Sequence, residues 1–280
     1  MHLDPQYAEP WLGLTGTWLR LASPGAIAPR SVMEDARAAL QTGMRLNPDP
    51  ADAQFLAALI AWRYDWDWPA ADRRFRAAIE LDPHTPTYRI FYAAFLSQMG
   101  RHEEALQQAE AGRRAEPLAG VRAVEANIYY NARDYDRTIR LCRAWIEKDA
   151  HFQPYHYWLG RALLSKGQTT EALRHSRRTS APAPGRGFGM LAAAYVQAVR
   201  RSEAVKLLED ALQRSRDTYV SPLSVAQIYI ALDQPETALD WIDRGLADRD
   251  FAITTLNTEP AYDPLRRHPR FTAILARLRF

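Results

Sequence analysis

An all-α solenoid of stacked helical hairpins is the fold class this sequence predicts, and three observations carry the prediction. A small residue recurs at a near-constant interval: Ala36, Ala71, Ala105, Thr138, Ala172, Ala204 and Ala238, with gaps of 35, 34, 33, 34, 32 and 34 residues. Pro48, Pro83 and Pro117 recur at 35 and 34 residues, each after a helical run (MRLNP, IELDP, RRAEP). No stretch alternates convincingly as a strand, whereas apolar stripes at i, i+3, i+4 are frequent. Two ladders with one period mark a single supersecondary unit copied end to end. At 280 residues, 47% of them hydrophobic, the chain approaches the size at which one compact core stops growing. A solenoid escapes that limit because each unit packs only on its neighbours.

In chain order, Leu3-Asp4-Pro5 looks like Leu81-Asp82-Pro83 and reads as the tail of a preceding unit. Repeat one covers 8–48. Its first helix, 8–22, carries Trp11, Leu14 and Trp18 as its stripe; a long loop runs from Ser23-Pro24-Gly25 to Pro29, and Ser31 is the expected N-cap of the second helix. Repeat two covers 51–85, with Phe55, Ala58, Leu59 and Trp62 in its first helix. The aromatic turn Tyr64-Asp65-Trp66-Asp67-Trp68-Pro69 follows, and its tryptophans are expected to fill the wedge between helices rather than to hold a ligand. Repeat three (86–118) has Tyr92, Ala93 and Leu96, then the turn glycine Gly100. Repeat four (119–152) has Ala126 and Tyr129, then Ile139, Cys142 and Trp145.

Repeat five (153–184) shows the pattern best. Trp158, Leu159, Gly160, Ala162 and Leu163 form the apolar stripe, Gly167 closes the helix in the left-handed conformation, and Thr169 or Thr170 caps the next. Residues 177–187 are the one Pro/Gly-rich break, read as an inter-repeat loop because the ladder shows no insertion across it. Repeats six (185–218) and seven (219–252) continue with Leu191, Ala192 and Tyr195, then Val225, Ala226, Tyr229 and Ile242. Residues 263–280, with Phe271, Ile274, Leu275 and Leu278, read as an amphipathic capping helix that covers the last exposed face. The whole chain, 1–280, is one domain on this reading.

Composition narrows the function classes. With 36 basic and 33 acidic residues, the charge balance does not by itself call for a nucleic-acid partner. Cys142 is the single cysteine, so no disulfide framework or thiolate cluster is available. Its helical context reads as a packed, inert thiol. No signal peptide opens the chain and no apolar run reaches bilayer length, so a reducing cytoplasm is the expected compartment. Phosphate-loop, zincin and nucleophile-elbow motifs are missing from the sequence. Gly185 to Gly189 is glycine-rich but follows no strand, and His151 and His156 lack an evident third ligand. The expectation is a non-enzymatic protein with no catalytic residue, no cofactor and no metal.

Trp158-Leu159-Gly160, Leu163, Gly167 and Ala172 closely resemble the tetratricopeptide repeat (TPR) pattern. The pairs Ala126/Tyr129, Ala192/Tyr195 and Ala226/Tyr229 match its small-then-aromatic signature. The resemblance covers essentially the whole chain. It implies a right-handed superhelix of about seven repeats whose first helices line a concave groove for a peptide or protein segment. A narrower similarity is carried by Tyr64 to Trp68, Tyr155 to Ala162, Tyr219 to Pro222, Asp263 to Arg266 and Pro269 to Phe271. These stretches look like the C-terminal repeat half of bacterial winged-helix transcriptional regulators, serine/threonine kinases and nucleotide cyclases. That similarity implies a regulatory or sensory module of a bacterial signalling system, with an N-terminal effector domain outside this chain.

In the repeat register the groove-facing candidates are Asn127, Tyr130 and Asn131 from repeat four, Tyr157, Arg161 and Ser165 from repeat five, and Gln197 and Gln227 from later repeats. Asn, Gln and Arg suit a peptide backbone or carboxylate, and Tyr supplies a flat anchor. A chaperone-tail carboxylate clamp matches only at Asn127 and Arg186; Ala123, Trp158 and Met190 occupy its other positions. Two further classes compete with the scaffold reading. One is an Arg-rich nucleic-acid-binding array using Arg174, Arg177 and Arg178 with Arg266, Arg267, Arg270, Arg277 and Arg279. The other is self-association into a homo-oligomer through the end face before Trp11.

Overall fold

Ala36, Ala71, Ala105, Thr138, Ala172, Ala204 and Ala238 are each 0% exposed. The ladder is therefore the line along which helices press most closely, and a larger side chain there would force neighbouring helices apart. The computed structural model describes residues 7–22, 27–47, 50–115, 119–180 and 187–280. Leu3 to Pro5, Ser23 to Gly25, Pro48, Pro117 and residues 181–186 of the Pro/Gly-rich break, with Arg186, lie outside the described residues.

Helices pair in sequence: α1 (Glu9–Ala22) with α2 (Pro29–Leu46), α3 (Ala51–Ile60) with α4 (Trp68–Leu81), and α5 (Pro86–Gln98) with α6 (His102–Ala115). The pairing continues with α7 (Ala119–Asn131) and α8 (Tyr135–Ile146), α9 (Gln153–Ser165) and α10 (Thr169–Ser180), α11 (Phe188–Gln197) and α12 (Arg201–Arg214), and α13 (Pro222–Ala231) and α14 (Pro235–Ala247). First helices also stack on one another, α5 on α7, α7 on α9 and α11 on α13, and build the inner wall. Proline in the first turn starts α2, α4, α5, α9, α13 and α14, where its fixed φ helps and its missing N–H costs nothing. Among the described residues no strand forms, and the protein has an all-α helical-repeat fold of the tetratricopeptide type.

A second ladder, of backbone conformation, runs five residues ahead of the first. Trp66, Gly100, Arg133, Gly167, Val199 and Asp233 all have positive φ, from 57° to 78°. Each ends a first helix. In five of the six turns the next amide reaches back to the carbonyl of the helix's last turn: Arg101 to Leu96, Asp134 to Tyr129, Gln168 to Leu163, Arg200 to Tyr195 and Gln234 to Tyr229, at 2.8–2.9 Å. This satisfies carbonyls that the helix end leaves open. The sixth turn, in repeat two, differs. A π-turn at Ala61–Asp65 takes up an additional residue, and the Asp67 amide bonds back to Ala61. Asp67 then caps α4 by accepting from the Ala70 amide. The 35-residue gap between Ala36 and Ala71 spans this turn.

Four local expectations are corrected. The buried face of α1 is Leu12, Thr15, Leu19 and Ala22, and Trp11, Leu14 and Trp18 are only half-buried. Ser31 is not the cap of α2, which begins at Pro29; its hydroxyl donates to Ala28 O at 2.8 Å. Thr169 is the first residue of α10 rather than its cap. The capping helix does not start at Asp263: two 3-10 turns, Phe251–Thr255 and Pro260–Leu265, precede a shorter α15, Pro269–Leu278.

Candidate functional site

The two 3-10 turns set the geometry of the inner face. After α14 the chain does not leave the solenoid but crosses its concave side. Buried Asp250 starts the crossing, accepting from the Ala252 amide (2.7 Å) and the Tyr219 hydroxyl (2.6 Å). Burial pushes its carboxyl above the usual range, against the pull of those two donors. Phe251 then packs with the core of the first three repeats. Arg249 donates to Tyr64 O at 3.1 Å and lies 4.3 Å from the Trp66 ring. Farther on, Phe280 stacks on Trp68 at 5.0 Å, and Trp68 Nε1 donates to Leu278 O at 2.7 Å. The aromatic turn of repeat two thus receives the end of the solenoid. Trp62 and Trp68 are buried, and both indole N–H groups are used inside the protein, Trp62 donating to Gln98 Oε1 at 3.0 Å.

Glu259 lies at the middle of the crossing. It caps the second 3-10 turn through the Ala261 amide (3.0 Å), accepts from the Tyr130 hydroxyl (3.0 Å) and forms an ion pair with Arg161. Arg161 is 5% exposed; its Nε donates to the Tyr130 hydroxyl at 3.3 Å and its Nη1 to the Tyr157 hydroxyl at 2.5 Å. The guanidinium also lies over both tyrosine rings, at 5.3 and 5.2 Å. Burial holds the Tyr130 hydroxyl far above its ordinary pKa although Arg161 opposes the shift, so it stays a neutral donor. A charge this deep is tolerable because its donors are matched by a carboxylate and two hydroxyls.

Beside the pair, between α9, α11, α13 and the second 3-10 turn, lies a cleft of about 300 Å³. Five of the eight groove candidates line it: Tyr130, Arg161, Ser165, Gln197 and Gln227. Leu164, Met190, Ala193, Val196, Ile230 and Ala231 make an apolar wall, and Pro260, Ala261 and Pro264 close one side. Gln197 and Ser165 are exposed. Gln197 Nε2 donates to Leu164 O at 3.3 Å, and Ser165 donates to Arg161 O at 3.2 Å. Gln227 donates to the Tyr262 hydroxyl at 3.2 Å and lies so close to Gly189 that a Cβ there would fall 2.3 Å from its Oε1. The glycine lets the glutamine lie flat against α11.

Three candidates stand apart from the cleft. Tyr157 serves Arg161 from behind. Asn131 is buried and donates to Ser97 Oγ at 2.9 Å, tying α7 to α5. Asn127 is half-buried on α7. The residues that sequence reasoning missed are Glu259, Pro260 and Tyr262. An acid before a proline, followed by Ala-Tyr-Asp-Pro, is a readable start of a helical turn, but nothing periodic shows where that turn packs.

Part of the arginine clusters is engaged locally. Arg270 pairs with Asp240 and Asp243, each at 2.7 Å, and Arg266 with Asp263 at 2.8 Å. Arg178 donates to Ala150 O at 2.6 Å, and Arg177 lies over the Tyr195 ring. Cys142 is fully buried, and burial pushes its thiol up to about 12. His156 contacts buried His175, Nδ1 to Nδ1, at 2.8 Å. Among the described residues no helix is long and apolar enough to cross a membrane.

Solved structures share the architecture. Pseudomonas aeruginosa PilF superposes with a TM-score of 0.55 at 14% identity, covering 75% of this chain and 93% of that one. PilW, a widely conserved type IV pilus biogenesis factor, gives 0.57 at 13% identity, with 75% and 94% covered. The human IFIT1 dimer with PPP-AAAA gives 0.59 at 15% identity, with 88% and 63% covered. At these identities the likeness is one of fold. No protein-family model matches the chain, and no curated protein matches it.

Proposed function

We propose that this protein is a non-enzymatic interaction scaffold that holds a peptide or protein segment at the inner-face cleft. The observation that carries the reading is the convergence of five side chains on one 300 Å³ opening. They come from α7, α9, α11 and α13 and surround an apolar wall. A cleft of that size accepts one large apolar side chain, with amide and hydroxyl groups at its rim to orient the adjoining backbone. The resemblance to the repeat halves of bacterial regulators extends the proposal to a regulatory or sensory role beside an effector domain. The mass of the endogenous polypeptide tests that extension: a mass well above 31.9 kDa supports it, and a matching mass removes it.

The scaffold reading is tested by selecting peptides from a random display library on the full chain. The selected peptides are then measured against Ala193→Trp, which fills the cleft, and against the Gln197→Ala/Gln227→Ala double variant. The expected loss in affinity is about 10–100-fold for the filled cleft. Peptides that bind the filled variant as tightly as the unaltered chain would move the site elsewhere.

A further inference from the structure

The C-terminal segment divides its contacts by chemistry. Ile253, Leu256, Tyr262 and Leu265 are buried in one cluster with α13, α14 and α15. The groups it sends across the groove to the earlier repeats are mostly polar. Asn257 Nδ2 donates to Gln98 O at 3.3 Å, Glu259 meets Tyr130 and Arg161, and Asp263 accepts from Arg133 at 2.8 Å. Phe251, Phe280 and the packing of Trp66 on the repeat-seven cluster are apolar exceptions. The segment is thus part of the body of repeat seven and leans on repeats two to five through charge and hydrogen bonds. Such a contact is like the more polar interfaces across which domains move. Separating the two bodies would uncover Phe251 and the face on which Trp66 packs, while Ile253, Leu256, Tyr262 and Leu265 keep their partners in α13, α14 and α15.

Arg161 is the cation at the centre of that contact, and among the described residues its carboxylate comes from the crossing segment. We infer that Arg161, with Tyr130 and Tyr157, is a receptor for the carboxylate side chain of an acidic partner segment, and that Glu259 fills this receptor in cis until the partner's Asp or Glu takes its place. The inference rests on the scaffold reading above and names the partner's chemistry. A planar guanidinium with five donors suits a carboxylate, and the two tyrosines hold its plane. Exchanging one carboxylate for another keeps the ion pair intact, so Arg161 is never left buried and unpaired, the costly outcome. As the crossing segment swings away with repeat seven, the groove opens for the residues that flank the incoming carboxylate.

The test uses the full chain and a labelled synthetic peptide of residues 256–264 (LNTEPAYDP) supplied in trans, beside the same peptide with Glu259→Gln. Against the unaltered chain, self-competition keeps peptide binding weak. In full-length Glu259→Gln the site is released, and the acidic peptide binds ~10-fold more tightly. The Gln peptide shows no such gain, and Arg161→Gln removes the gain. Helicity by circular dichroism checks that the variants are folded. A second measurement needs no variant: hydrogen exchange at 257–263 in the unaltered chain is expected to quicken with millimolar acidic peptide. Equal binding to both chains, equal binding of both peptides, or unchanged exchange overturns the inference. None of these outcomes touches the scaffold reading, which stands or falls with the Ala193→Trp cleft.

Discussion

Val199 occupies the left-handed turn position that glycine fills in repeats three and five, with φ of 58° and 93% of its surface exposed. A β-branched side chain there crowds its own backbone and gains no packing in return. Val199→Gly is therefore expected to stabilise the protein by about 0.5–1 kcal/mol, the strain relieved less the added freedom of the unfolded chain. Urea unfolding measures it, and a loss of stability would show that the valine is not strained. Gly100 and Gly167 adopt the same conformation at 78° and 71°, and those two were readable in the sequence. Arg133 and Val199 were not, because arginine and valine carry no left-handed signal, and the preference of Asp233 is too weak to single it out.

At the scale of the element, α9 and α10 are locked by an imidazole pair. His156 Nε2 donates to Ala150 O at 2.8 Å, so its Nδ1 is the acceptor and His175 Nδ1 carries the shared proton. Burial first, then His156 and Arg174, lower His175 to about 4, against the pull of Glu171. Arg178 also faces both rings. His156 is lowered too, chiefly by burial. Below the ordinary value of 6.5 the unfolded chain takes up protons that the folded chain refuses, so this contribution is complete above that pH and is lost as pH falls toward 4. The melting temperature of the unaltered protein is expected to drop more between pH 7 and 4.5 than that of His175→Gln. Parallel drops would remove the pair from the acid response.

For the whole molecule, closure is the feature with consequences. Repeat two and the last residues meet through the stacked rings of Trp68 and Phe280 and the bond from Trp68 to Leu278 O. An aromatic pair of this kind is worth roughly 1 kcal/mol beyond its area. With the lost burial of the partly buried ring added, Phe280→Ala is expected to cost about 2 kcal/mol and to speed hydrogen exchange at 64–68, while leaving α9 to α12 as protected as before. Faster exchange throughout would mean that the contact supports the entire solenoid rather than its closure. The same closure decides which part of the inner face is open. Asn131 and Arg161 are used internally, and the accessible cleft falls at repeats five to seven.

The repeat period, the buried small-residue ladder, the glycine turns and most first-helix stripes were determined by the sequence alone. A solenoid unit packs on its immediate neighbours, so each contact leaves a mark within one period of the chain. Register also assigns residues to helix faces, and five of the eight candidates line the cleft. The path of residues 249–265 and the docking of the last residues on repeat two were decided only by the tertiary structure. The partners lie 129 residues away for Glu259 and Tyr130, 185 for Arg249 and Tyr64, and 210 for Leu278 and Trp68. A segment without periodicity carries its packing preference in single residues, and which distant surface each one meets depends on the curvature that the stacked repeats produce together.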